Sequence, residues 1–407
     1  MGEMKTYLGF QCSIRDGRDL WFSSFRGDGL FRYDGKRAEY VTNFGETGVK
    51  LFSAIERFNQ KLYFIPLAAE KIYTYDLETK KKGNIPYENH VIGDFIFSIR
   101  YRQCIYMFPS FYQGIMKLNP DTGHTEVIRD WINKDLAKCQ LSEEPYFRGD
   151  YVREGDTVYI PFCNAHAILE FHLEDGRGII HNIGNQCYAT IANDGNRFWM
   201  APRKGGGIVS WCPDNGEVKE YKNFPTGFKH GAFIGSFYRD GYVWMFPESA
   251  NMVIKVDTNT GEMVEEVLFT DICNCMWTKH SVWKSAFIYI NKMEERLLLF
   301  SGKSSEMVLF YPDKNEIERF RIQLPDTAFG GYREEPDVAY LLFRKRKFKE
   351  RAERGKIFYE SEEHSFREYM QDVELDDEKN GHKLEIGEMI YRDIVAKVKD
   401  GKESELI

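Results

Sequence analysis

Two dipeptides, Lys229-His230 and Lys279-His280, carry the residue types in this 407-residue chain best suited to acid–base chemistry. Histidine changes charge near neutral pH, so His230 and His280 brought together could act as general base and acid, or hold a metal with Glu46 or Asp94. The plainer alternative has the imidazoles capping loops and the lysines solvated. Cys273-x-Cys275 is spaced too closely for a structural zinc pair and has only His280 nearby, so no metal is expected there. Gly205-Gly206-Gly207 follows Arg203-Lys204 and shares only its glycine content with a phosphate loop, because no helix comes after it. A tight hairpin is the expected structure. The segment from Arg344 to Lys356 holds eight Lys or Arg residues against Glu350 and Glu353. Its neighbouring tail is acidic, so an intramolecular charge match or a solvated helix face is expected rather than contact with nucleic acid or membrane.

The elements that must position these residues are visible as a repeat. An apolar strand recurs at Leu20-Trp21-Phe22, Leu62-Tyr63-Phe64, Ile105-Tyr106-Met107, Val158-Tyr159-Ile160, Phe198-Trp199-Met200, Val243-Trp244-Met245 and Leu297-Leu298-Leu299, with centres 42, 43, 53, 40, 45 and 54 residues apart. Such a period belongs to a unit of four strands that buries its faces only against its neighbours, which predicts an all-β, seven-bladed β-propeller. Blade six reads most clearly: Ala232 to Tyr238, the turn Asp240-Gly241, Tyr242 to Phe246, Met252 to Asp257, the turn Thr258 to Gly261, then Glu262 to Phe269. The same reading fits residues 7–44, 50–87, 94–131, 146–183, 187–224 and 286–324. Every blade is contiguous, so closure must rest on blades seven and one, with help from residues 1–6. Pro66, Pro109, Pro161, Pro202 and Pro247 end second strands, where a missing N–H does no harm. All six aromatic centres should be buried.

In this topology two sets of loops share one face. Those between second and third strands carry Arg26, Asp28, Glu70, Tyr112, Gln113, Asn164, His166, Arg203, Lys204, Glu248 and Asn251. Those leading into the first strands add Lys50, His90, Asp94, Arg148, Gln186, Lys229, His230, Lys279 and His280. Two connections are long, Asp130 to Glu144 and Thr270 to Ser285. The resulting mouth is rich in cationic and imidazole groups, although the chain carries a net charge of −8. That contrast points to an anionic ligand.

The repeat ends near Pro325, which divides the chain into a propeller over 1–325 and a small, partly helical extension over 326–407. In the extension, Ser365 and Glu368 form a capping box beside the stripe Phe366, Tyr369, Met370, Val373, and Ile386, Met389, Ile390, Ile394 and Val398 form another. These faces are expected on the propeller's rim or on a partner. Met1-Gly2-Glu3-Met4-Lys5 runs at once into strand-like sequence, leaving no room for an apolar signal segment. The eight cysteines are scattered, Cys163 and Cys187 within expected strands, and read as reduced thiols of a cytoplasmic protein.

The unit from Tyr242 to Glu262, with Trp244, Asn251, Ile254 to Asp257 and Thr260-Gly261, resembles the repeats of the streptogramin lyase and other NHL/YVTN-like propellers; Leu20-Trp21-Phe22 to Tyr33-Asp34-Gly35 looks similar. The resemblance covers about 320 residues and implies architecture. The lyase's metal, held near a histidine and a glutamate, has no residue-by-residue match here. The expected function is a binding module or scaffold that takes a partner protein or anionic small molecule at Lys50, His90, Arg148, Arg203, Lys204, Lys229, His230, Lys279 and His280, without a cofactor. The alternative is a metal-assisted lyase or hydrolase at the same mouth.

Overall fold

The structure, a computed structural model, describes residues 7–10, 12–25, 27–46, 50–88, 93–131, 146–203, 205–276, 284–293, 295–325 and 328. Seven four-stranded sheets succeed one another along the chain, and within each the strands pair in sequence order. The first strands are Cys12–Asp16, Phe52–Phe58, Phe95–Tyr101, Val152–Glu154, Ala192–Asn193, Phe233–Arg239 and Tyr289–Lys292. First strands of neighbouring blades meet at blades one and two, two and three, five and six, and six and seven, which sets them around a central channel. The fold is a seven-bladed β-propeller.

Turn chemistry explains the hairpins. Asp240 and Gly241 both take positive φ, the backbone of a turn whose twist matches the strands it joins. At the turns into fourth strands, Asp76 Oδ1 accepts the N–H of Glu78 and Thr79, and Asp257 Oδ1 accepts those of Asn259 and Thr260. Pro66, Pro109, Pro161 and Pro247 are the last residues of second strands, and Pro202 bridges Tyr188.

Burial sits between blades. Trp21, Tyr63, Tyr106, Trp199 and Trp244 are buried as expected. Tyr159 is not: its ring lies 4.5 Å from Phe198 of the next blade, yet it stays partly exposed beside Glu154 and Glu170. The first strands of blades four and five are only three and two residues long, and less backbone covers it. The ring closes between blades seven and one. Leu8 N–H donates to Ile322 O at 2.8 Å, Tyr7 bridges Gln323, and Phe10 packs on Tyr289 and Phe300. Residues 1–6 and 329–407, with the extension's two helical patterns, lie outside the described residues.

One expected strand is shorter. The fourth strand of blade six is Met263–Glu265 and does not continue to Phe269. Glu265 accepts Thr270 Oγ1, Glu266 accepts Trp244 Nε1, and the chain coils through Val267–Phe269 into a helix at Thr270–Asn274. This turns Phe269, Ile272 and Cys273 into the cluster around Phe246 and Phe287.

Candidate functional site

A single backbone bond, repeated seven times, builds the mouth of the channel. The residue following the second strand donates its N–H to the segment leading into the same blade's first strand: Phe25 to Gly9, Leu67 to Leu51, Ser110 to Asp94, Cys163 to Tyr146, Arg203 to Cys187, Glu248 to Ala232 and Lys303 to Ser285, at 2.7–3.1 Å. A second set ties neighbouring blades, with Lys50 N–H on Phe25 O, Gly93 on Leu67 O, Tyr146 on Ser110 O and Ala286 on Glu248 O. The seven equivalent residues therefore surround one opening on a braced frame.

Their chemistry divides the opening in two. Phe25, Leu67, Ser110 and Cys163, from blades one to four, are buried. Arg203, Glu248 and Lys303, from blades five to seven, are partly exposed. Arg148, ahead of blade four, reaches across to blade six and places Nη2 2.5 Å from Glu248 Oε2. Arg203 Nη1 donates to Cys163 O at 3.1 Å, and Lys303 Nζ donates to Cys273 O at 2.8 Å. Burial lowers the Arg203 guanidinium from its usual range, with Glu248 opposing the shift. Arginine stays charged regardless. Among the described residues Arg148 and Arg203 both act on the carboxylate of Glu248, and Lys303 stands at the equivalent position of blade seven, so cationic residues gather on this side of the opening in a protein that is negative overall. Cys163 does not add a nucleophile, since burial pushes its thiol up to about 12 against the pull of Arg148. It also follows its strand rather than lying within it, and Cys187 precedes the Tyr188 bridge.

Of the residues expected from sequence, Arg148 and Arg203 come together here. Lys50 lies on the apolar side, its ammonium 5.2 Å from the centre of the Phe25 ring. Lys229 and His230 make contacts of their own beside blade six: Lys229 N–H bonds Asn251 Oδ1, and His230 sits edge-on to Phe224 and Phe228, whose rings stack 4.3 Å apart. His90, Lys204, Lys279 and His280 lie outside the described residues. Glu46 is engaged by Glu70 N–H and Tyr73 OH, and the buried Asp94 by Tyr87 OH. Among the described residues no three His, Cys, Asp or Glu side chains converge as a ligand set for a metal. His172 and His181 share Glu170 at 3.0 and 2.7 Å, on the third and fourth strands of blade four and away from the first strands.

The glycine run is structural. Gly205 and Gly206 take positive φ, and a Cβ on Gly206 would fall 2.0 Å from Gln186 Oε1. Sequence reasoning omitted Cys163, Glu248 and Lys303 from the binding set. A positional signal existed: the mouth residue stands four after the second-strand centre in six blades, and five after Leu298 in the seventh.

No family model and no curated protein matches the chain. Solved structures do. Virginiamycin B lyase from Staphylococcus aureus aligns at 13% identity over 74% of this chain and 96% of its own, with a TM-score of 0.53. A streptogramin B lyase aligns at 14% identity over 74% and 93%, with a TM-score of 0.50. The computationally designed Ika8 protein aligns at 9% identity over 78% and 88%, with a TM-score of 0.51. At such identities the likeness is one of fold: the chain has the seven-bladed architecture of the streptogramin-lyase-like propellers.

Proposed function

We propose that this protein is a binding module whose channel mouth takes an anionic group, offered by a small molecule or by an acidic segment of a partner protein. The observation that carries this reading is the pair Arg148 and Arg203 beside Glu248, with Lys303 at the equivalent position of the seventh blade, on a frame of backbone bonds at seven equivalent positions. Preset guanidinium groups lose little freedom on meeting an anion. We place it in a reducing cytoplasm, a reading supported by eight cysteines scattered through the sequence without framework spacing.

The test is the double substitution Arg203→Glu/Lys303→Glu, assayed by titrating a glutamate-rich peptide and a small dicarboxylate against the intact chain. Reversing two contacts of this kind should weaken binding at least about tenfold and flatten its salt dependence, while circular dichroism stays native. Unchanged affinity for both probes would remove the mouth as the site.

A further inference from the structure

The strand register sets a second row of cations at the opposite end of the channel. In five of the seven blades the residue paired with the position just before the second-strand centre is cationic: Arg15 opposite Leu20, Arg57 opposite Leu62, Arg100 opposite Ile105, Arg153 opposite Val158 and Lys292 opposite Leu297, with Asn193 and Tyr238 in blades five and six. Blades seven, one, two, three and four thus form an unbroken basic arc. Each of these residues lies just before its blade's first hairpin, so the arc faces away from the Arg203–Lys303 mouth. Repeat position alone produces it, since equivalent residues converge around the axis of a propeller.

The arginines are held in place by main-chain carbonyls. Nε of Arg15, Arg57 and Arg153 donates to Gly17 O, Asn59 O and Gly155 O at 3.1, 2.9 and 3.0 Å. From blade to blade, Arg100 Nη1 reaches Arg57 O at 2.8 Å and Arg153 Nη1 reaches Arg100 O at 3.3 Å. Arg57 also bonds the carboxylate of Asp16. Arg15, Arg100 and Arg153 are exposed, and among the described residues none of the three makes an ion pair with a carboxylate. The acidic group facing Arg100 and Arg153 is Glu56 inside the channel, which accepts Ser98 Oγ at 2.8 Å. Lys292 is committed to Asp150.

We propose that this rim binds a compact oligophosphate. A guanidinium fork matches two oxygens of one phosphoryl group, and neighbouring forks fixed one blade apart match successive groups on one short chain. A lone carboxylate would meet one fork and leave the others in water. The site is separate from the mouth, because Asp150 crosses the channel from blade four to Ile191, Ser236 and Lys292 of blades five, six and seven.

Inorganic tripolyphosphate is the probe, titrated calorimetrically against the intact chain at two salt concentrations. Saturable binding that weakens with salt is expected, lost by at least about tenfold in Arg15→Gln/Arg100→Gln/Arg153→Gln and retained in Arg203→Glu/Lys303→Glu. If the triple variant fails to fold, Arg100→Gln alone should still reduce affinity several-fold, about the value of one charge-assisted contact. No binding by the intact chain would overturn the proposal. So would binding lost in the mouth variant but kept in the rim variant, and that pattern would leave the mouth reading standing.

Discussion

Replacing Asp150 with alanine should cost more than any other polar substitution in the channel. Its side chain is 4% exposed. Oδ2 accepts the Ile191 N–H at 2.8 Å, the Ser236 N–H at 2.9 Å and Ser236 Oγ at 3.0 Å, while Oδ1 accepts Lys292 Nζ at 2.5 Å. Alanine leaves two main-chain donors buried without a partner, at about 1–3 kcal/mol each. The Lys292 side chain is 31% exposed and can turn to water, so the lost ion pair adds at most about 1 kcal/mol. The expected loss is about 3–5 kcal/mol, in the range for breaking a buried charged contact. Asparagine keeps an acceptor for the two N–H groups and loses only the ionic part, for at most about 1 kcal/mol. Urea unfolding followed by tryptophan fluorescence should show both losses as lower midpoints at an unchanged slope. An alanine variant within about 0.5 kcal/mol of the native protein would refute the bridging role, because surface substitutions fall in that range. Equal cost for asparagine and alanine would assign the effect to charge rather than to the two orphaned donors.

Cys12, Cys163 and Cys273, whose thiols burial pushes up to about 12, should resist a thiol reagent at pH 8 and react once urea is added; labelling of any of them in the native state, read by mass spectrometry, would contradict the packing. Burial likewise raises the phenols of Tyr106 and Tyr151 to about 12, so they stay neutral in the fold after the unfolded chain begins to ionise near about 10. Their contribution is complete below that pH and is lost as the pH climbs toward about 12, giving a melting temperature that falls steeply in this window; a flat profile to about pH 11 would exclude it.

Blade number, strand order and five of the six buried centres were legible because each follows from a local pattern repeated at one period. The fourth strand of blade six was not. Val264 and Val267 continue the apolar pattern, but Glu265 and Glu266 meet Thr270 and Trp244, and tertiary bonds override propensity. At the candidate site, the nearness of Arg148 and Arg203 to one another follows from their places in the repeat. Lys303 was hidden by the one extra residue after Leu298. The ring contacts of His230 with Phe224 and Phe228 were not legible, because its nearness in sequence to the Phe233 strand says nothing of them. Asp150 has no local signature, since its meaning arises only when blades five, six and seven close around it.

That closure decides how the two ends of the channel relate. Arg148, Asp150 and Arg153 fall within six consecutive residues, so one short segment supplies the mouth, the crossing and the rim. A ligand that draws Arg148 away from Glu248 would pull on this segment, and coupling between sites must be reciprocal. The crossing opposes transmission. Asp150 is tied to three other blades, and Tyr151 beside it stacks on Phe97 at 4.5 Å. A segment anchored between the two sites has one arrangement rather than two, and without a second state neither ligand can bias the other. The native protein should therefore bind at mouth and rim independently, and coupling should emerge only where the Asp150 bridge is weakened.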